Sequence, residues 1–489
     1  MNRHLVRKFL PAAGQMRKSR VYTLVVMLAI AATAVAVVAP LFIAYRDDSG
    51  RVQSATADPT LNANNQFFNA GLGTNGQACV TCHQPFDGFD ISLNTIQSAF
   101  LRTVFRPTLD PLFRPNDTAN NPNITDSRNP FKRLRDYSLF LELGVARIAK
   151  NFPATTDFSV QFLGDTNKFG TLPNLADPQR PGVPNLSLFR RPLVNTNVHL
   201  DSAVLWDGRA NITDIPTQVQ GAVRTLLLGS GNDAAANQDV ANFMLGVFTD
   251  QVSDNKAGKL DAAGASGGLQ NLLAQATGCT AGSCAVNDGT FFNLYNAWAS
   301  LPNDSKRNAA RLSIARGQAV FDSHGCKGCH SATNLGNNPS ATFRPRIGTD
   351  SPDIIAHLMA GDGVVPGSDP HPHPELQVLL DRVNKLPLYC LRPNTDPTPV
   401  STVPCGSDPI NHPLDDRTTD PGAAMVTGLF ANVGGFKPPI LRDLAARSPY
   451  FHAGAAPSIE DLINFYNARF NFGLTDQDKA DLAAFLESL

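Results

Sequence analysis

Two pentapeptides constrain this chain more than anything else in it: Cys79-Val-Thr-Cys82-His83 and Cys326-Lys-Gly-Cys329-His330. Two thiols at this spacing can each form a thioether with one vinyl group of a single porphyrin. The histidine directly after them is then held beneath the iron as proximal ligand. At the Cys and His frequencies of this chain, one such match is expected by chance on the order of 0.003 times, so two make coincidence negligible. A zinc site built from both cysteine pairs, or a redox-active Cys-x-x-Cys, would leave both trailing histidines unexplained. The pattern therefore predicts two covalently bound c-type haems, attached at Cys79, Cys82, Cys326 and Cys329, with His83 and His330 as iron ligands.

The N-terminus bears on the compartment. Residues 1–20 carry Arg3, Arg7, Lys8, Arg17, Lys18 and Arg20 and no acid, and residues 21–44 are uncharged and strongly apolar. Such a run is long enough to cross roughly 30 Å of hydrocarbon as a helix, with the cations left in the cytoplasm. Ala34-Val35-Ala36 also resembles a cleavage site, which makes a removed signal peptide the competing reading. Either way the rest is expected on the periplasmic side of a bacterial inner membrane. A net charge of −1 with no basic face or tail argues against nucleic acid. In an oxidising compartment the close pairs Cys279/Cys284 and Cys390/Cys405 are expected to be disulfides.

The predicted fold is all-α with long loops, since 37 glycines and 36 prolines imply many irregular connections and no sustained two-residue alternation is evident. Residues 45–63 read as a polar linker, 64–303 as a first unit with an insertion, and 304–489 as a second. Helical signals are clearest in the second. Thr475 with Asp478 and Ser458 with Asp461 resemble capping pairs. The helices that follow place Leu482, Phe485, Leu486 and Leu489, and Ile459, Leu462, Ile463 and Tyr466, on inward faces. A helix over 308–320, with Ala310, Leu312, Ala315 and Ala319, leads into the second haem motif.

Leu205-Trp206-Asp207-Gly208-Arg209-Ala210 lies between the two motifs, and Phe436-Lys-Pro-Pro-Ile-Leu-Arg-Asp-Leu-Ala-Ala-Arg-Ser-Pro-Tyr-Phe-His452-Ala-Gly follows the second. Both segments, in this order, resemble those of bacterial di-haem cytochrome c peroxidases and the related MauG-type enzymes. The resemblance covers most of the chain from about Asn64 and implies two cytochrome c-like helical domains. It also implies an N-terminal haem where peroxide reacts and a C-terminal haem that stores and delivers electrons. Trp206 matches the tryptophan between the haems, a candidate electron bridge, although a packing aromatic would read the same way. Fourteen residues beyond His452 the peroxidases carry a methionine ligand and MauG-type proteins a tyrosine; here the residue is Tyr466. A phenolate ligand would lower the potential of the second haem. Met425, Met359, His357 and His412 are the other candidates.

Splitting peroxide needs a group that shuttles a proton between its oxygens. In the family a glutamate follows a glutamine that itself follows the W-D-G-R segment. Gln218 and Gly221 fit that glutamine pattern, but the glutamate would fall near Leu228, and no acid lies between Arg224 and Gly231. Asp214, Asp233 and His199 are the available substitutes, and His199 is also a candidate sixth ligand of the first haem. His371 and His373 read as solvated turn residues. The family's inter-haem calcium is doubtful, because its asparagine ligand would fall at Arg190 or Arg191 and a cation there opposes metal binding. The expected activity is reduction of hydrogen peroxide at the first haem, using electrons delivered through the second from a small cytochrome c, a cupredoxin or a quinol pathway. The alternatives are a non-catalytic di-haem electron carrier and a MauG-like oxidase using high-valent haem iron.

Overall fold

The C-terminal helices form where local signals place them. In the computed structural model, which describes residues 42–125, 127–165, 185–278, 293–331, 333, 335–336, 342–396, 398, 403 and 416–489, Thr475 and Asp478 close a reciprocal capping box on the helix Asp476–Glu487. Ser458 accepts from Asp461 N (3.1 Å) at the start of Ile459–Phe470. Leu482, Phe485, Leu486 and Leu489 are buried, in a cluster with Tyr295, Trp298 and Phe321. The helix Lys306–Ser323 runs along Asp476–Glu487 so closely that a Cβ on Gly317 would lie 1.9 Å from Asp481 O. Its inward face is Ile314, Gly317, Gln318 and Phe321, whereas Ala319 is exposed.

The chain is not all-α. Among the described residues it forms four sheets. Ala44–Arg46, Gly50–Thr56, Val247–Asp254 and Gly258–Lys259 make a four-stranded antiparallel sheet, and Asp416–Thr418, Pro387–Pro393 and Phe158–Asp165 a three-stranded one. Ala146–Asn151 pairs with Asn185–Arg190, and Ala203–Val204 with Ala210–Asn211. Alternation was a poor guide because the central strands are covered on both faces: every residue of Pro387–Pro393 and the first five of Val247–Asp254 are buried. A strand so enclosed loses the polar/apolar period.

No helix among the described residues is long and apolar enough to cross a membrane. The predicted apolar span lies largely outside the described residues; where it enters them, Ala44 begins a strand paired in register with Gln53. Residues 45–63, expected as a linker, include Gly50–Thr56, an inner strand of its sheet. Leu41–Leu489 forms one compact unit rather than two separated near residue 303, and Phe158–Asp165 pairing with Pro387–Pro393 is one of the ties across that expected boundary. Cys390 is disulfide-bonded; its expected partner Cys405, and the pair Cys279/Cys284, lie outside the described residues.

Candidate functional site

Both cysteine motifs fold into the same local device. The first is a single helical turn, Cys79–Cys82, with His83 N donating to Cys79 O (3.1 Å). The second begins after Gly325, whose positive φ of 75° turns the chain out of the preceding helix, and His330 N donates to Cys326 O (3.0 Å). Each histidine then uses Nδ1 to donate to a backbone carbonyl, His83 to Phe89 O (3.1 Å) and His330 to Leu335 O (2.8 Å). Both accepting residues are held at positive φ, Phe89 at 60° and Leu335 at 56°, a conformation bulky side chains adopt only when their surroundings impose it. Tying Nδ1–H to a carbonyl sets the neutral tautomer whose lone pair is on Nε2, the one an iron ligand requires. Burial lowers the pKa of both rings, that of His330 to about 4, which favours their neutral forms. The four thiols are not in disulfides, and burial pushes Cys79 and Cys326 up to about 12.

The second motif opens on a cavity of about 250 Å³ whose wall includes Cys326, Cys329, His330, Tyr466, Trp206 and His452. Its lining is mostly apolar, and it is larger than the ~150 Å³ pocket that admits benzene, so it is no packing defect. The guanidinium groups of Arg191 and Arg447 and the ammonium of Lys437 border it, against the single carboxylate of Asp90. Arg191 is buried and anchored by the carbonyls of Gly144 (3.0 Å) and Ile91 (2.5 Å). An apolar cavity lined by two thiols and an imidazole, with buried guanidinium groups to meet carboxylates, suits a covalently attached haem and its propionates.

Tyr466 stands in the same cavity, as its position on the helix Ile459–Phe470 predicts, with its ring stacked 5.9 Å from Phe470. Burial, with the thiols of Cys329 and Cys326 nearby, raises its phenol pKa. The other candidate ligands are elsewhere. Met425 is buried in a separate cluster with Tyr389, Met359 packs with Ile355 and Leu358, and His357 bonds Asp362 (2.7 Å) at the surface. His412 lies outside the described residues. His371 is solvated as expected, but His373 is buried and bonds Glu375 (3.0 Å).

His452 is the residue that sequence reasoning quoted without giving it a role. Its ring stacks on Phe436 (4.0 Å between centroids) and meets Trp206 edge-on at 6.2 Å. Nδ1 lies 3.4 Å from Thr349 Oγ1, while the buried Nε2 has no hydrogen-bond partner among the described residues. Burial lowers its pKa to about 4.

Trp206 lies beside the larger cavity. Its Nε1 donates to Arg191 O (2.8 Å) and its ring faces the large cavity. Leu205 beside it, at φ 71°, lines a second cavity of about 60 Å³ together with Leu193, Val198, Gln218, Met244 and Asp201. Cys79 packs against the same apolar cluster as Val198, Leu205 and Met244, which associates this smaller cavity with the first motif. Lys437 borders both cavities.

The expected proton-handling substitutes are not there. Asp214 and Asp233 are exposed, Asp233 capping the helix Ala234–Gly246 through Ala236 N (2.9 Å). His199 packs edge-on against Phe248 (5.8 Å) and lines neither cavity. Arg190, at the predicted calcium-ligand position, is buried between Asp420 (2.5 Å) and Asp207 (2.7 Å). Burial alone would raise the carboxyl of Asp207, but Arg190 and Arg209 hold it well below the usual range. Among the described residues no group of three or more His, Cys, Asp or Glu is placed to hold a metal ion.

The chain thus combines a mixed α/β fold with two anchored Cys-x-x-Cys-His turns and, between them in the sequence, a tryptophan beside the larger cavity. No protein-family model matches the chain. It is similar to cytochrome-c peroxidase IdrP1 of Denitromonas iodatirespirans, 33% identical over 69 residues, a stretch that takes in 12% of this chain and 18% of that protein. The match thus spans less than a fifth of the relative's length.

Proposed function

We propose that this chain is a di-haem c-type oxidoreductase that reduces hydrogen peroxide at the haem carried by Cys79, Cys82 and His83, with electrons arriving through the haem carried by Cys326, Cys329 and His330. The observation that carries this reading is the repeated device in which Nδ1 is tied to a carbonyl on a residue of positive φ, because it presents two neutral imidazoles as iron ligands. The similarity to a cytochrome-c peroxidase supports the peroxide half of it. When bound, the haems supply the iron that exchanges electrons with the donor and with peroxide, two electrons and two protons turning hydrogen peroxide into two waters.

The rest falls to the chain. Arg191 and Arg447 would bind the carboxylates of the second haem, and Tyr466 would be a further ligand to its iron. Trp206, with Leu205 at its back, fills the partition across which electrons pass. A small cytochrome c, a cupredoxin or a quinol pathway in the periplasm would be the donor.

Tyr466 in the cavity favours a second reading, an oxidase of the MauG type acting on an organic or protein partner. The test is the mass and the electron paramagnetic resonance spectrum of the purified protein, followed by peroxide with a reduced donor cytochrome. The proposal expects the added mass of two haems, a high-spin signal that peroxide perturbs, and consumption of peroxide. Two low-spin haems that peroxide leaves unchanged would reduce the chain to an electron carrier, and a bare polypeptide mass would end both readings.

A further inference from the structure

The smaller cavity contains a carboxylate that does not follow Gln218 in the sequence. Asp201 is buried at 1% exposure and lines that cavity opposite Gln218, and it is the one acid in its lining. Its placement is well determined. Asn197, at φ 62°, exchanges hydrogen bonds with the backbone of Thr249 (Nδ2 to O, 2.7 Å; N to Oδ1, 2.9 Å), which pins the turn to the strand Val247–Asp254. Asp201 N then closes the short turn by donating to Val198 O (3.0 Å).

Across the cavity wall Lys437 donates from Nζ to Asp201 Oδ2 (2.7 Å) and to Pro438 O (3.1 Å), while its backbone N donates to Trp206 O (2.7 Å). One lysine thus ties the carboxylate to the tryptophan partition. A buried ion pair is a poor stabiliser, since desolvating two charges consumes most of what their attraction returns. An apolar pair would serve the core as well, which makes a role in the cavity the better account of why this pair is there.

We propose that Asp201 is the residue that moves protons in the smaller cavity, and that Lys437 is the positioning residue that holds it. This rests on the peroxide reading above. A carboxylate oxygen of Asp201 takes the proton from one peroxide oxygen and passes it to the other. That second oxygen leaves as water when the O–O bond breaks; two electrons from the donor protein and two further protons from solvent complete the second water.

The test uses the full-length, haem-loaded chain with Asp201→Asn and, because a lone buried ammonium is itself destabilising, the double variant Asp201→Asn with Lys437→Met. Two rates are read: peroxide consumption with a reduced donor, and binding of hydrogen cyanide to the ferric first haem, which also requires a proton to be removed but involves no turnover. Both rates should fall by about 10²–10⁴ in both variants, with haem content and resting spectrum unchanged. Wild-type rates in haem-loaded variants would overturn the proposal, and so would failure of both variants to bind haem, which would make Asp201 a folding element. If cyanide binding slows but even the native chain ignores peroxide, the peroxide reading fails and the role of Asp201 stands.

Discussion

Replacing Arg190 by Met should be among the most destabilising single changes in the protein. Its guanidinium is about 1% exposed and makes three charged hydrogen bonds, Nε and Nη2 to Asp420 (2.5 and 2.9 Å) and Nη1 to Asp207 (2.7 Å). Three such bonds at ~1.5–3 kcal/mol each would sum to far more than the protein can lose, but they are not additive, and Arg209 stays on Asp207. The governing quantity is the charge left behind: breaking a buried pair from one side costs about 3–5 kcal/mol. The loss should also depend on pH in a definite direction. In the native chain Asp207 is held low, so it stabilises above the ordinary carboxylate pKa and loses that contribution as pH falls through its folded value. Without Arg190, burial acts on Asp207 against only Arg209 and the more weakly acting Lys150, and its carboxyl rises. The penalty is then fully present near neutral pH and is relieved on acidification. Urea titrations of the haem-loaded protein, followed by far-ultraviolet circular dichroism at about pH 7.5 and pH 5, should show a gap between native and variant that narrows at the lower pH. Replacing Asp420 by Leu as well should recover much of the loss. A cost below about 1 kcal/mol, or one equal at both pH values, would refute the reasoning.

Tyr466→Phe should shift the spectrum of the second haem and raise its potential, since the phenolate would be lost from the iron; an unmoved spectrum would make Tyr466 a packing residue. Gly317→Ala should cost at least about 1–3 kcal/mol in chemical unfolding, because its methyl would meet Asp481 O at 1.9 Å and Phe485 Cβ at 2.8 Å. Arg133→Ala should loosen the segment after the helix Leu93–Thr103, since Arg133 bonds the carbonyls of Val104 (3.0 Å), Arg106 (2.8 Å) and Pro107 (3.0 Å); limited proteolysis there should quicken while the C-terminal helices stay protected. Calcium chelation should leave the spectra and thermal unfolding unchanged, since the buried Arg190 and Arg191 stand where the family that the chain resembles has its asparagine ligand.

What could be read from the residues, and what could not, divides by how far apart the determinants lie. The two Cys-x-x-Cys-His turns and the caps at Ser458 and Thr475 are legible because each is settled within five residues. Tyr466 lies in the larger cavity because one helix fixes its direction from Ile459 onward. The sheets were missed where strands are enclosed on both faces and pair across gaps of about two hundred residues, as Gly50–Thr56 does with Val247–Asp254. Phe89 and Leu335 carried no local sign of positive φ, because neither residue type prefers it and only the packed fold imposes it.

The carboxylate shows the same division most sharply. Reasoning forward from Gln218 along the chain reaches only Leu228, which lies beyond the end of the helix Ile215–Thr225 and is exposed. The cavity is closed instead by a turn that precedes Trp206 and by a lysine more than two hundred residues further on. An enclosed site needs its polar group to arrive from some wall of the cavity, and the physics of proton transfer is indifferent to which wall that is. The absence of an acid at one sequence position therefore says little about the chemistry of such a site until every segment lining it has been identified. Here the segment carrying Asp201 also carries Trp206, so on the roles proposed above a shift of that turn would disturb proton movement and electron passage together.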